Sequence, residues 1–466
     1  MATASAPPVY NDSKAAVFRR LDPTKYTSLA DFIDEINKPD NRDQLVKTYG
    51  YQQISGGLTG FLNLTGAVRA SGTADEVQYW EETRLHQFAT VAPTASAAAA
   101  ATAFVAQKAT SDASVLRLND VVLVGGQDRF IVTAISPTGE VTQTATADYT
   151  LQSLSSAGLT ASVSTDSVNL PVIGNLFAQG SDQNSGYLES NVIKRTNAYS
   201  IIKEVFKVTG SQATNIGWVN VGNGDYRWYV KGEMDTRARF LDKREMMLLL
   251  GQNITNTLTT TNIGGLPTSG EGYFSAIENR GIVQSGQIDD FTEFDILVTE
   301  LDKQGAAPEY AMYVNTAQAL AIDNMVASLN GAAGFADATV GVNAFGGKAG
   351  DAAKLGFQSF VRGGYTFHKH SWKLLNDPTL LGVASPKYLG AMIPMTTVVD
   401  PKTGNRAAAL ELNYKDTNGY SREMEHWMTG SILGVNNTNV DSLQFNYRSE
   451  CALITRAANQ HILIKA

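Results

Sequence analysis

Residues 195–251 read RTNAYSIIKEVFKVTGSQATNIGWVNVGNGDYRWYVKGEMDTRARFLDKREMMLLLG, and three patterns follow one another within them. In the first part apolar and polar residues alternate, and β-branched residues such as Ile201 and Val205 are frequent. This alternation predicts a strand that is exposed or half-buried. Gly222 and Gly224 then interrupt the pattern and predict a turn before the third part begins.

The third part, from Tyr226 to Gly251, predicts a helix of about 25 residues and roughly 37 Å. Apolar residues recur at steps of three or four and predict the buried face, namely Val230, Met234, Ala238 and Leu241. Charged residues occupy most other positions. Three arginines among them are predicted to contact neighbouring subunits: Arg237, Arg239 and Arg244.

The composition describes a large and mildly acidic chain. It has 466 residues and a formal net charge of −8, which argues against a protein that coats nucleic acid, because phosphate binding needs clustered Lys and Arg. Cys451 is the one cysteine, so a disulfide framework and a multi-cysteine zinc site are excluded. We expect a soluble protein without a signal peptide or membrane segment, folded in a reducing compartment.

The part of the chain before residue 195 divides by composition. Residues 1–50 are polar and predict an extended arm with one short helix that begins at Ser28. The Ala/Ser/Thr-rich run 92–103 predicts a linker. Several turn-bounded strand patterns follow it, and they predict a small β-barrel or sandwich between residues 90 and 186.

The part after the long helix mixes helices and strands. Residues 255–287 are rich in Thr, Asn and Gly and predict a flexible loop. DDFTEFDILVTELDKQG (289–305) predicts a second helix, and AMYVNTAQALAIDNM (311–325) predicts a strand followed by a helix. Residues 331–350 predict a mobile excursion, and further strands are expected from about residue 364 to the end. The fold class is therefore α+β.

Candidate chemical sites are weak. His368 and His370 alternate on one strand but have no third metal ligand at a motif spacing, so a packing or surface role is favoured. His86 lies near two glutamates in an extended context that suits acid–base chemistry poorly. GVNAFGGKA (341–349) misses the phosphate-loop spacing by one residue and lacks its Ser or Thr. We expect no enzyme activity, no cofactor and a buried, inert thiol at Cys451.

The order of these patterns resembles the major capsid protein of tailed bacteriophages, which has the Hong Kong 97 fold. RTNAYSIIKEVFKVTGSQ resembles the return strand of that family's extended loop. The long helix resembles its spine helix, which ends at a glycine, and residues 289–325 resemble its second peripheral-domain helix and the entry to its axial domain. Large-shelled relatives, including the crAss-like group, often carry β-rich insertions in the extended loop, and residues 90–186 would be such an insertion here.

The resemblance implies a Hong Kong 97-type α+β fold with seven segments. They are an N-terminal arm (1–50), the outgoing extended loop (51–89), an inserted β-rich domain (90–186), the return strand (187–225), a peripheral domain with the spine helix (226–310), an axial domain (311–399) and closing peripheral strands (400–466).

The implied function is self-assembly. Hexamers and pentamers would close into an icosahedral virion shell around double-stranded DNA, with only non-specific DNA contact and with portal, scaffold or decoration proteins as partners. The chain would be synthesised in the host cytoplasm. Some relatives crosslink a Lys to an Asn, but no motif assigns that pair here. The alternative from the residues alone is a phage tail sheath or tube protein, which is also long, cysteine-poor and β-rich.

Overall fold

The computed structural model describes residues 57–71, 74–82, 84, 86, 88–108, 116–136, 146–182, 192–215, 227–253, 269–328, 359–377, 381, 387–395, 397–399 and 406–466. These ranges form a mixed α+β structure in which strands predominate, so the predicted α+β class is confirmed, while the Hong Kong 97-type arrangement stays a prediction. The predictions for the arm (1–50), the turn at 222–224, the excursion at 331–350 and the phosphate-loop near-miss lie outside the described residues.

The described ranges contain helices and strands, with long runs of consecutive strands before residue 210 and after residue 328. The helices are α1 (Leu58–Leu64), α2 (Gly210–Thr214), α3 (Trp228–Leu250), α4 (Tyr273–Arg280), α5 (Phe291–Lys303) and α6 (Thr316–Ser328). The strands before α2 are β1 (Val68–Ser71), β2 (Glu76–Glu82), β3 (Phe88–Pro93), β4 (Ala103–Lys108), β5 (Asp120–Val124), β6 (Asp128–Ser136), β7 (Asp148–Ser153), β8 (Val168–Asn175), β9 (Val192–Ala198) and β10 (Ser200–Thr209). The strands after α4 are β11 (Ile282–Ser285), β12 (Glu309–Val314), β13 (Ser359–Arg362), β14 (Tyr365–Ser371), β15 (Tyr388–Pro394), β16 (Thr397–Val399), β17 (Arg406–Ala408), β18 (Leu410–Thr417), β19 (Tyr420–Ser421), β20 (Glu425–Gly430), β21 (Ser442–Thr455) and β22 (Ile462–Lys465).

The long helix α3 ends where the sequence predicts, because the Gly251 N–H closes the last turn on the Met247 carbonyl at 2.9 Å. The predicted buried face is wrong. Met234 is 61% exposed, and the fully buried positions are Thr236, Phe240, Arg244, Glu245, Leu248 and Leu249. These residues follow one another mainly at steps of four, so they form one stripe along the helix. The stripe contains polar side chains, and a pattern of apolar letters alone therefore misses it.

The described chain divides into two compact units. The smaller unit contains residues 204–215, 227–240 and 426–447. In it the first part of α3 packs on β21 through Phe240, whose ring centroid lies 5.7 Å from that of Tyr447. Strands β10 and β21 meet through Phe206 and Phe445, whose ring centroids are 6.3 Å apart. The Phe206 ring also lies so close to Gly232 that a Cβ there would be 2.5 Å from it. Glycine in mid-helix is therefore explained by this close approach.

The larger unit contains a six-stranded mixed sheet with the strand order β11-β22-β15-β12-β14-β13. Alternating residues of its central strands belong to two cores. One core joins the sheet to α5 and α6 through Met312, Met392, Ile462 and Ile464. The other joins it to α1, α4 and the last turn of α3 through Ala311, Ala391, Ile393 and Leu463. Helices thus cover both faces, which explains why these strands have few polar positions.

A second sheet has the strand order β1-β18-β21-β10, with β19 paired to β18 and β20 paired to β21. Strand β18 runs parallel to β1 and antiparallel to β21. The strands predicted near the C-terminal end of the sequence are therefore confirmed, and Cys451 is buried in β21 as expected.

Strands β3 to β8 form a closed six-stranded barrel in the order β3-β4-β7-β6-β5-β8. Its interior is filled by apolar side chains, among them Phe104 and Phe130, whose rings meet edge to face at 5.3 Å. A small β-barrel is thus confirmed, while the limits 90–186 of an independent domain stay a prediction. Strands β2 and β9, which flank the barrel in sequence, pair with each other over seven residues.

Two sequence interpretations are wrong. The run 92–103 is not a linker, because Ala97 donates to the Val163 carbonyl at 2.9 Å and Ala100 donates to the Leu159 carbonyl at 2.8 Å. Small side chains permit this close strand-like approach. The described part of the predicted loop 255–287 contains α4 and β11. Its helix forms because Tyr273, Phe274 and Ile277 bury their side chains completely, and the Gly/Thr-rich composition conceals this short apolar pattern.

Candidate functional site

The histidine pair does not form a metal centre within the described residues. His368 and His370 lie on β14, and the His370 ring stacks on Tyr313 at 5.1 Å. Burial, and next the charge of His368, lower the pKa of His370. No group of three or more His, Cys, Asp or Glu side chains in the described ranges is arranged to hold a metal ion. His370 is exposed, and its stacking on Tyr313 fits the packing or surface role that the sequence favoured.

The thiol of Cys451 and the side chain of His86 lie in opposite environments. Cys451 is 1% exposed, and burial raises the pKa of its thiol, so the reactive thiolate is disfavoured. His86 is exposed.

His461 is a buried polar residue that sequence reasoning missed. Its Nδ1 lies 2.9 Å from the Tyr273 hydroxyl and its Nε2 lies 3.3 Å from the Arg456 carbonyl. Burial lowers the pKa of His461 to about 3, so the ring is neutral and holds two parts of the fold together. The surrounding residues HILIKA carry no signal for this role, because both partners are distant or backbone atoms.

The candidate surface for subunit contacts is the exposed side of α3. Arg237 and Arg239 are both exposed, and neither forms an ion pair with a described residue. Within the described ranges, Arg239 donates to the Thr236 hydroxyl at 3.2 Å. Guanidinium groups bind carboxylates with two parallel hydrogen bonds, so these two side chains can bind an acidic partner.

Arg244 differs from the other two arginines. It is 7% exposed, and its Nη1 donates to the Glu423 carbonyl at 3.2 Å. The expectation that Arg244 is accessible on the helix surface is therefore wrong for the chain as described. It lies on the buried stripe of α3, four residues after Phe240, and a carbonyl from a distant segment satisfies part of its hydrogen-bonding capacity.

The β2–β9 pair and the barrel segment expose further large apolar side chains. They include Trp80 (64%), Phe88, Ile173, Leu176 and Val192 (52% each) and Phe177 (41%). Exposed apolar side chains of this size, when they cluster, mark surfaces for contacts with other proteins. Among the described helices, none has the length and apolar character that crossing a lipid bilayer requires.

Comparison with known proteins gives structural matches alone. No family model matches the sequence. No curated protein matches it either. The chain is similar to the structure described as the capsid of the cyanophage P-SCSP1u, with 8% identity, coverage of 97% of this chain and 99% of that chain, and a TM-score of 0.42.

It is also similar to the structure described as the capsid of a native GTA particle, with 9% identity, coverage of 95% and 99%, and a TM-score of 0.39. A third similar structure is from Mycobacterium phage Ogopogo, with 10% identity, coverage of 93% and 98%, and a TM-score of 0.40. Two of these descriptions name a capsid, and the third names a phage.

Proposed function

We propose that this chain is the major capsid protein of a tailed bacteriophage. Its copies assemble into hexamers and pentamers, and these close into an icosahedral shell around packaged double-stranded DNA. Its role is structural, and its residues form subunit contacts and perform no catalysis. Portal, scaffold or decoration proteins are the further partners of such a shell.

The long helix α3 carries this proposal. It has 23 residues, a length of roughly 35 Å, and buries only one stripe of its surface. The remaining positions keep charged side chains such as Arg237 and Arg239 in solvent. The outer side of the helix exposes the apolar residues Trp228, Met234, Met247 and Leu250 beside the charged Arg237, Arg239 and Lys243. Exposed apolar side chains beside arginines suit contacts with other subunits, because association removes the apolar surface from water.

The order of elements around α3 supports the same proposal. The strand-rich segment β9–β10 precedes the helix, Gly251 ends it, and α5, β12 and α6 follow at the places that the resemblance implies. Within the proposal, the segment 226–310 is the peripheral domain with its spine helix, 311–399 is the axial domain and 400–466 closes the peripheral sheet. The barrel is the insertion in the extended loop.

The net charge of −8 also fits this function. DNA that a motor drives into a shell needs no tight binding, and an acidic inner wall avoids trapping it. Contact with the DNA is therefore proposed to be non-specific.

Electron microscopy of the purified full-length chain tests the proposal. Closed round shells are expected at protein concentrations that favour assembly. Rods or helical tubes would support the tail sheath or tube alternative instead. A protein that remains monomeric over a wide range of salt and protein concentration would contradict both.

A further inference from the structure

An open recess of about 450 Å³ lies in the larger unit beside the β18–β19 hairpin. Its charged lining consists of Asp75, Lys415, Asp416, Arg422 and Glu450. The recess is large enough for one long side chain, and it is open to solvent.

The charges in the recess do not cancel. Lys415 Nζ lies 2.5 Å from Asp75 Oδ1 and 3.5 Å from Glu450 Oε1, and Arg422 contacts the other oxygen of Glu450. The Lys415 hydrogen bond lowers the pKa of Asp75, which agrees with this pairing. The two cations are thus matched by two carboxylates. Asp416 remains, and it forms no ion pair or side-chain hydrogen bond with a described residue.

The uncharged lining narrows the chemistry of the ligand. Ile201 is 47% exposed and Tyr420 is 50% exposed, and both line the recess. An aliphatic stem can pack on Ile201, and a planar cation can stack on the Tyr420 ring. With the unpaired Asp416 carboxylate, this combination fits an arginine side chain best, because a guanidinium group can both stack and bind a carboxylate.

We infer that the recess accepts Arg237 or Arg239 from a second copy of this chain. The inference rests on the proposed function and names one of its subunit contacts. The charge complementarity is direct: an unmatched carboxylate lines the recess, and the exposed arginines of α3 have no carboxylate partner within the described residues. Contacts of this kind act on partner choice and on association rate.

Two full-length charge variants test this contact, because mixing them is expected to restore the assembly that each variant alone has lost. Variant one carries Arg237→Glu and Arg239→Glu. Variant two carries Asp416→Arg. Within either variant, the facing groups have the same sign and repel each other. In a 1:1 mixture, the arginine in the recess of variant two meets the glutamates of variant one, and the intact Asp416 of variant one meets the arginines of variant two.

The measurement is the rate and extent of assembly by light scattering, with micrographs of the products. Each variant alone is expected to assemble about tenfold more slowly than wild type or worse, and the mixture is expected to recover most of the wild-type rate. Asp166→Arg, a matched charge change on the exposed Asp166 of the barrel segment, should leave assembly unchanged. Melting temperatures of all variants should agree with wild type, because the changed groups are solvent-accessible.

Three outcomes would overturn the contact. They are normal assembly of either variant alone, a mixture no better than its components, and an Asp166→Arg effect as large as that of Asp416→Arg. Each leaves the proposed function standing, provided that wild type forms shells. A wild-type chain that never assembles would overturn the proposed function itself, and the contact with it.

Discussion

The Glu245 carboxylate, in the second half of α3, accepts a hydrogen bond from the Leu58 backbone N–H at 2.8 Å. Its other oxygen accepts from the Thr59 hydroxyl at 3.0 Å. Helix α1 begins at Leu58, so a residue 187 positions away supplies the acceptor that its first turn needs. The Gly57 backbone also lies close to Glu245, since a Cβ added at Gly57 would be 3.0 Å from Glu245 Oε1. This contact fixes the start of α1 on the long helix.

Replacing Glu245 with alanine is expected to lower the free energy of unfolding by about 1–3 kcal/mol, because two donors lose their acceptor in a buried place. The control is Glu300→Ala, which removes an exposed ion pair with Lys303 and should cost at most about 1 kcal/mol. Urea unfolding of both variants decides the matter. Equal losses would show that the Glu245 contact is not a structural cap.

Gly232→Ala is expected to destabilise the smaller unit by about 1–3 kcal/mol, because the new methyl group would overlap the Phe206 ring. Gly60→Ala is the matched change in α1, where nothing lies within 4 Å of the added Cβ. It should be neutral or stabilising by up to about 1 kcal/mol, since alanine favours helix. Thermal melts compare the two.

A double variant that also changes Phe206 tests whether its ring causes the loss of stability in Gly232→Ala. Phe206→Leu combined with Gly232→Ala should cost less than the sum of the two single changes, because the smaller side chain leaves room for the methyl group. Strict additivity would indicate that Phe206 does not cause the loss.

Two consecutive leucines test the buried stripe of α3. Leu249 is fully buried, and Leu249→Ala should cost about 2–5 kcal/mol through the cavity that it leaves. Leu250 is 37% exposed, and Leu250→Ala should cost about 1 kcal/mol. The free energy of unfolding measures both. A reversal of this order would place the stripe on another side of the helix.

The stability of the chain should fall in mild acid because of His461. Its ring titrates at about 6.5 in an unfolded chain but at about 3 in the folded chain, so the unfolded state binds the additional proton between these values. The contribution of His461 to the free energy of unfolding is therefore fully present above about pH 6.5, and it falls by about 1.4 kcal/mol per pH unit below that value. Between pH 7 and pH 5 this group should account for a loss of about 2 kcal/mol.

His461→Gln removes that titration. Its unfolding free energy should be lower at pH 7 and should change less between pH 7 and pH 5 than that of wild type. His86→Gln, at an exposed position, should keep the wild-type dependence on pH. An unchanged pH dependence in His461→Gln would contradict the assignment of this loss to His461.

Local patterns determined much of the secondary structure of this protein. Periodicity of two or four residues, together with glycine at Gly251 and acidic residues at the start of α5, sufficed to predict α3, α5, β12, α6 and the final strands. Such signals lie within one segment, and neighbouring residues set them. They also sufficed to predict a small β-barrel or sandwich, whose strands have clear turns between them. They even identified Arg237 and Arg239 as exposed charges.

Tertiary structure alone decided which side of α3 is buried, and it decided the role of each polar residue there. Arg244 and Glu245 have the composition of a solvent-facing surface, yet both are buried, because donors from a distant segment bind the Glu245 carboxylate and a distant carbonyl accepts one hydrogen bond from Arg244. That these strands form a closed barrel instead of a sandwich likewise depends on pairing between strands that are far apart in sequence. The cost of burying a polar group depends on its partner, and a partner that lies 187 residues away leaves no trace in the local pattern.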